Sequence, residues 1–461
     1  MTSILPYARQ LKSQLQSSFA AVEFLSADRV EDVCRSVGHY FRHCFWTPNI
    51  TILTFLRQVF DGNSSCRKAV AMTLAPAAVC DDGYEAMSGD PSAYSQARQR
   101  LPRAVLEMLN RKTVDEVQMK ASASRLWCGR RVVIVDGSSA SMPDAKELQK
   151  AYPQPVGQKP GCGFPVMRIL AIFCWASGCL LEWAADSFAV SELALLRKLL
   201  DRLRAGTVVL ADTFYSSYYD LALLRQRGLE GVFRLHQRRP IDFRSGQRLG
   251  ENDQRVTWTK PRIMPRNISA QDWAHIPETL TVRHVRAHVD IPGFRSRKLE
   301  LVTTLLDPVA YPAEKLAELY RDRWLAELNL RSLKTTLHME VLKGQSKEMV
   351  LKELCVYQLA YNLIRLLMWR AAQSCGMDAR RLSFAGTQQR ILAFLPYLAA
   401  SRTVAEYQRL AVRLLEHIVG DELPDRPNRI EPRAVKRRPK NHRRLTVPRH
   451  VAKTMDYFIN G

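Results

Sequence analysis

The chain has 461 residues, enough for two to four domains, and its 46% hydrophobic content is that of a folded protein, which excludes wholesale disorder. Lys and Arg number 68 against 45 Asp and Glu, a formal net charge of +23. An excess that large points to a polyanionic partner, nucleic acid first, because each cation that neutralises a phosphate releases counterions; a merely basic protein or a membrane-surface binder is the alternative.

The ten cysteines are scattered and include no CxxC pair, so neither a disulfide framework nor a zinc ribbon is indicated. Cys34, His39, His43 and Cys44 come nearest to a metal cluster, but ligands at adjacent positions make a poor tetrahedral set, and helix packing is the better reading. The N-terminus lacks a continuous apolar signal core and a small-residue cleavage site. The longest apolar stretch, Ile169 to Leu181, is too short to span a bilayer. With free thiols suited to a reducing compartment, the expectation is a soluble cytoplasmic protein with no membrane partner.

In chain order, residues up to about 125 read as helical. Ser26 caps ADRVEDVCRSVGHYFRHCF, Thr47-Pro48 opens NITILTFLRQVF, Ser64 or Ser65 caps CRKAVAMTLA, and Ser92 caps AYSQARQR before Pro102. With Arg67, Lys68, Arg98 and Arg100 exposed, these short helices would suit a helix-turn-helix-like reader of DNA; a plain helical bundle would read the same.

The pattern then changes. Arg131-Val-Val-Ile-Val-Asp136 is a short β-branched run ending in an acid. Val166 to Phe173 and Cys179 to Ala185 are two apolar runs around Ala176-Ser177-Gly178, a hairpin signal. Ser191 to Leu203 has helical spacing. Gly206 to Asp212 is a second buried strand ending in an acid, followed by a helix in SYYDLALLRQR and a strand at Gly231-Val-Phe-Arg-Leu. This order predicts a mixed α/β sheet. From Gln237 to about Asp307 alternating stretches such as LTVRHVRAHVDI read as a β-rich insertion, and helix returns from Pro312, with breaks, through Ala372. The final EPRAVKRRPKNHRRLTVPRH reads as a flexible basic arm or a solvated tail.

Two neighbouring strands ending in Asp136 and Asp212 would bring two carboxylates to one sheet edge, where they could share divalent cations, since Mg²⁺ prefers a few carboxylates plus water and phosphate oxygens. A third acid lies in a helix: at ~100° per residue, Tyr320, Arg323, Glu327, Arg331 and Lys334 fall within about 80° of one another. One carboxylate, three cations and a phenol on a single stripe suit a metal ligand surrounded by phosphate clamps; a charged solvent face is the plain alternative. Asp144, Asp186, Asp220 and Glu182 are read as decoy acids, with Glu182 and Asp186 at the rim of the sheet.

The spacing Tyr320-x2-Arg323-x3-Glu327-x6-Lys334 resembles the YREK signature of the insertion-sequence-four family of DDE transposases. Asp136-Gly-Ser, the strand ending at Asp212, KTTLHMEVLKGQ and LAYNLIRLLM are similar to family sequence in the same order, and the likeness covers roughly residues 45–450. What the resemblance implies is an α/β, RNase H-like (retroviral-integrase-like) catalytic core, with Asp136, Asp212 and Glu327 as catalytic and metal-holding acids for two Mg²⁺, Mn²⁺ substituting. It implies cut-and-paste transposition through a hairpin intermediate, with transposon-end inverted-repeat DNA and target DNA as partners, a homodimer on DNA, and a nucleoid-associated bacterial location. Tyr320, Arg323, Arg331 and Lys334 would then grip DNA, and Trp258, Trp273 or Trp324 would stack on a flipped base, an insertion Trp being favoured. Arg331 stands where some relatives carry Lys. The segment after Asp212 is expected to cap the next helix.

The implied division is a helical N-terminal DNA-binding region (1–125), the first part of the core (126–237), a β-rich insertion (238–308), the rest of the core with the catalytic helix (309–375), and a helical C-terminal region with a basic tail (376–461). Three rival readings remain: a tyrosine recombinase using Tyr320, an inactive transposase-derived DNA-binding protein, and an RNase H-like nuclease without joining activity.

Overall fold

The computed structural model describes residues 25–42, 44–80, 88–122, 126–239, 241–265, 267–288, 298–401, 403–424, 446–452 and 454. Most of the predicted basic arm (431–445 of 431–450) and His43 lie outside the described residues. Two compact units divide the chain, one made of residues 1–121, 177–181 and 329–423, the other of 122–176, 182–328 and 424–461.

The first helices start where their caps predict. Ser26 accepts from Arg29 N at the head of α1 (Ala27–Ser36), and Thr47 accepts from Ile50 N at the head of α2 (Pro48–Phe60). α1 stops earlier than its apolar spacing predicts, because Gly38 turns the chain at φ +71°. Ser65 Oγ accepts from Lys68 N as α3 (Cys66–Cys80) begins. α4 (Ser92–Arg100) is a correction: Ser92 is its first helical residue, and Asp90 Oδ1 takes the Ser92 N–H instead. α5 (Arg103–Ser122) follows.

The second unit carries the sheet. β1 (Val132–Ser141) enters it, then a short α6 (Lys146–Ala151) and the hairpin β2 (Val166–Cys174) and β3 (Leu180–Ser187). Gly178, at φ +71°, makes the reversal between them. α7 (Glu192–Leu199), capped by Ser191, packs on β2, and β4 (Val208–Ala211) returns to the sheet beside β1. α8 (Tyr218–Gln226), capped by Ser217 as expected, leads to β5 (Glu230–Arg234). β6 (Gln247–Gly250), β7 (Asp253–Thr259), α9 (Ala270–His275), β8 (Thr279–His288) and β9 (Lys298–Thr303) make the predicted β-rich stretch.

All nine strands form one sheet in the order β3-β2-β1-β4-β5-β9-β8-β7-β6. β1, β4 and β5 are parallel; β2 and β9 run against them. Their apolar runs, Val132–Val135 and Val208–Ala211, are buried throughout, as parallel central strands require. The β-rich stretch thus extends the sheet rather than making its own, because β9 pairs antiparallel with β5 (Phe233 opposite Val302). A buried ion pair holds this half: Arg283, fully buried on β8, forks onto both oxygens of Asp253 on β7 and donates to Tyr311 O at 2.7 Å.

The longer helices that follow are α10 (Ala313–Arg321), α11 (Trp324–Arg331), α12 (Lys347–Ser374), α13 (Phe384–Ala400) and α14 (Val404–Val419), and a short helical turn lies at Arg449–Ala452. In the helical unit α2, buried on nearly every face, packs against α3, α4 and α12, while α13 packs against α3, α12 and α14. Helices from both ends of the chain therefore share one core. Some of its buried polar groups are matched: fully buried Glu353 accepts from Lys343 N, Gly344 N and Asn63 Nδ2, and Gln388 Nε2 donates to Phe60 O. Arg98, expected to be exposed, is half-buried. Its guanidinium lies 4.5 Å from the Phe55 ring centroid and donates to Gln58 Oε1. Among the described residues no helix is long and apolar enough to cross a membrane.

The Arg283–Asp253 pair gives a stability test. Arg283→Met leaves Asp253 buried without its partner and should cost about 3 kcal/mol, read as a lower urea midpoint. Adding Asp253→Leu should recover most of that loss. A single variant as stable as the parent would show that the pair contributes nothing.

Candidate active site

Asp136 sits inside β1 and not at its end, because β2 continues to pair with that strand as far as Ser141 opposite Val166. What ends near Asp136 is the pairing with β4, whose last partner is Leu210 opposite Ile134. Continuing that register sets Asp136 level with Asp212, and residues level in parallel neighbours face the same side of the sheet. Asp212 closes β4: its carboxylate accepts from Phe214 N at 2.8 Å and caps the single 3-10 turn Thr213–Tyr215.

The third acid lies on α11, in a helical region more broken than a single stripe requires. α10 ends at Arg321, and the backbone N–H groups of Asp322, Arg323, Leu325 and Ala326 bond three residues back. Asp322 Oδ2 accepts from Trp175 Nε1 at 2.7 Å at this break. Residues three apart eclipse in such a turn, so Tyr320 and Arg323 stay aligned, and Arg323 donates to Glu327 Oε1 at 2.6 Å one turn on. The helix then widens into a π-turn, Ser332–Thr336. Of the two remaining cations of the stripe, Arg331 is exposed and Lys334 is half-buried in that π-turn; both fall in the helical unit.

Electrostatics tie the acids together. Burial pushes the Asp136 carboxyl up to about 6, the Gly137 backbone bond and Arg323 pull it down, and the charges of Asp212 and Glu327 raise it further. Tyr320, 7% exposed, is pushed up to about 12 by burial and by Asp212, against the pull of Arg323 and Arg234. Among the described residues no three His, Cys, Asp or Glu side chains are gathered as closely as a coordination shell requires. Glu327 is held by Arg323 and Asp212 by its cap.

The decoy acids have other work. Asp220 is forked by Arg197, Asp186 pairs with Lys198 and Glu182 with Arg202, the last two on the edge strand β3. Glu192, on the first turn of α7, had no sequence signal and lies beside the pair of acids. A Cβ at Gly137 would come within 2.4 Å of the whole Glu192 carboxyl group. Glu192 accepts from Tyr215 OH at 3.2 Å and from Arg168 Nη1 at 3.3 Å, so it links the turn that Asp212 caps to β2, the strand paired with the one that carries Asp136. The glycine after Asp136 marks that close approach.

The tryptophans differ in access. Trp258 is 7% exposed with Arg239 over its ring at 4.0 Å, and Trp273 stacks on Tyr219 with Lys260 over it. Trp324 is 53% exposed. Of the four residues that come nearest to a metal cluster in the sequence, Cys34 is buried and its thiol pushed up to about 11, first by burial and then by Glu31, in keeping with the packing role expected of it.

A family model described as "Transposase DDE domain" matches residues 127–363. The transposase InsG of insertion sequence element IS4 from Escherichia coli (strain K12) is 28% identical over 357 residues, covering 76% of this chain and 77% of that one. The putative transposase InsZ of the same organism is 30% identical over 138 residues, 30% of this chain and 46% of that one. The piggyBac transposase synaptic complex with hairpin DNA superposes with a TM-score of 0.41 at 10% identity, over 90% of this chain and 85% of that one, a score too low to argue from.

Ionised Asp136 opposes folding. With a folded pKa near 6 against an ordinary 3.8, the penalty is absent below about pH 4, grows as pH rises through 6, and is complete above it. In EDTA, Asp136→Asn should therefore raise the melting midpoint at pH 7, by up to about 2 kcal/mol in stability, and leave it unchanged at pH 4. An unchanged or lower midpoint at pH 7 would contradict the electrostatic picture.

Proposed function

Because the chain belongs to the DDE transposase family of insertion sequences, we propose that it performs metal-dependent cut-and-paste transposition, with Asp136, Asp212 and Glu327 as the catalytic carboxylates on an RNase H-like core. The observation that carries this reading is the β1–β4 register, which sets Asp136 level with Asp212, together with the charge coupling of Asp136 to Asp212, Glu327 and Arg323. Support for the RNase H-like assignment comes from the half-sheet β3-β2-β1-β4-β5, in which β1, β4 and β5 are parallel and β2 antiparallel.

The chemistry of the donor set, though not its spacing in this structure, suits a hard divalent cation. The set is all carboxylate oxygen, and a cation would relieve the charges of Asp212 and Glu327 that add to burial in pushing Asp136 up. Two Mg²⁺, or Mn²⁺ in their place, would supply activation of the attacking oxygen and stabilisation of the leaving one. The protein's own groups do the rest. Arg323 orients the Glu327 carboxylate. Tyr320, its proton retained by burial, is a hydrogen-bond donor for a phosphate oxygen, and Arg331 and Lys334 are phosphate clamps. Half-exposed Trp324 is better placed than buried Trp258 to stack on an extruded base.

In sequence, water hydrolyses the phosphodiester at the element's end and frees a 3′-hydroxyl. That hydroxyl attacks the phosphodiester of the opposite strand, releasing the 3′-oxygen of the flanking DNA and closing a hairpin on the element's end. Hydrolysis reopens the hairpin, and the 3′-hydroxyl joins target DNA by a further transesterification. The partners are terminal inverted-repeat DNA and target DNA, with two protomers pairing two ends.

The decisive assay is nicking and hairpin formation on a duplex bearing the element's own terminal repeat, with Mg²⁺, with EDTA and with Glu327→Gln. Glu327→Gln should lower the rate by at least about 10³-fold, a transition-state loss of roughly 4 kcal/mol, while end binding survives. Persisting cleavage in EDTA with a covalent protein–DNA adduct would favour Tyr320 as nucleophile. End binding without any metal-dependent cleavage by the unmutated protein would favour a DNA-binding descendant.

A further inference from the structure

The segment His39–Trp46 lies outside the carboxylate site, and its composition, HYFRHCFW, interleaves rings with cations. The structure gives it a cavity of about 430 Å³ in the helical unit, walled by His39, Tyr40, Phe41, Arg42, Trp46 and Arg100. Among the described residues that line it, none is acidic. Tyr40 is 85% exposed, a large ring kept at the surface instead of in the core. His39 stacks on Phe41 at 6.1 Å, and burial holds its pKa below the ordinary value, so at neutral pH it adds a ring and no charge. Trp46 is fixed from behind by Phe45 at 4.9 Å and Tyr94 at 5.1 Å.

A second observation also points to a ligand. Thr51, 1% exposed on α2, lines this cavity, and its hydroxyl has no hydrogen-bond partner among the described residues. An unmatched buried hydroxyl is costly and is relieved by a polar edge entering the cavity. Aromatic walls, two arginines, no acid and an unmatched hydroxyl define an occupant with a flat face, a hydrogen-bonding edge and negative charge. We propose that this cavity takes an unpaired nucleotide of DNA, its base against Tyr40, its edge toward Thr51, and its phosphates against Arg42 and Arg100. Stacking of this kind is sequence-tolerant, because every base has a π-face. The site uses none of the carboxylates and no metal, so it stands or falls separately from them.

The test uses the full chain in EDTA. A short oligothymidylate carrying one 5-iodouracil is irradiated with the protein and the crosslinked tryptic peptides are identified. Crosslinks are expected on the peptides spanning 36–42 and 43–57. In parallel, fluorescence anisotropy compares this strand with the same strand carrying an abasic site and with a duplex. Tyr40→Ala, at an exposed position that a melting curve will show to be folded, should remove the 36–42 crosslink. It should weaken binding of the intact strand about five- to a hundredfold and leave duplex binding unchanged. Crosslinks mapping only outside 36–57, equal affinity for intact and abasic strands, or an unaltered Tyr40→Ala would each overturn the proposal.

Discussion

β1 has to satisfy two neighbours at once. Toward β4 it pairs in parallel only from Val132 to Ile134, while toward β2 it pairs as far as Ser141. The strand therefore continues as a supported rod beyond the point where β4 has ended. Asp136 stands on that rod, level with Asp212, at the mouth left by the departing strand. Gly137, lacking a side chain, lets the Glu192 carboxyl close against the rod from α7. Through Tyr215 and Arg168 the same carboxyl reaches the turn that Asp212 caps and the strand β2. The positions of both strand acids follow from this one register and the residues that brace it.

Like charges brought together this way resist it. Burial and the neighbouring acids leave Asp136 half-protonated near pH 6, and a single guanidinium, Arg323, offsets part of the repulsion while holding Glu327. The helical break at Asp322 is what aims that guanidinium. Three-residue hydrogen bonds there keep Tyr320 and Arg323 in line, and the indole of Trp175 anchors the turn through Asp322. A continuous helix would have been simpler to form, and the break and the π-turn after it belong to a helical region under local constraint.

The candidate site was partly legible beforehand. Asp136 and Asp212 stand out because a β-branched run ending in an acid is a local pattern, and Glu327 because its neighbours recur at helical spacing. The surroundings were not. Nothing near Glu192 in the chain distinguishes it from Glu182 or Asp186, and only the fold brings it against Gly137. Arg98 reads as an exposed cation until Phe55 and Gln58, some forty positions earlier, cover it. Trp258 reads as an available ring until Arg239 lies over it.

By itself the sequence determined the features set within a few residues: the caps at Ser26, Thr47, Ser191 and Ser217, the reversal at Gly178, the buried strands, the charge, and the family to which the chain belongs. These depend on backbone hydrogen bonds and periodicities that span one or two turns. Only the tertiary structure decided that β1 runs through Asp136, that β9 joins β5 to make one sheet of nine strands, that the signature helix breaks at Asp322, and that helices from both ends of the chain share a core. Each of those depends on a partner far away in the chain, whose pairing or packing free energy outweighs the local preference and leaves no mark in the local pattern.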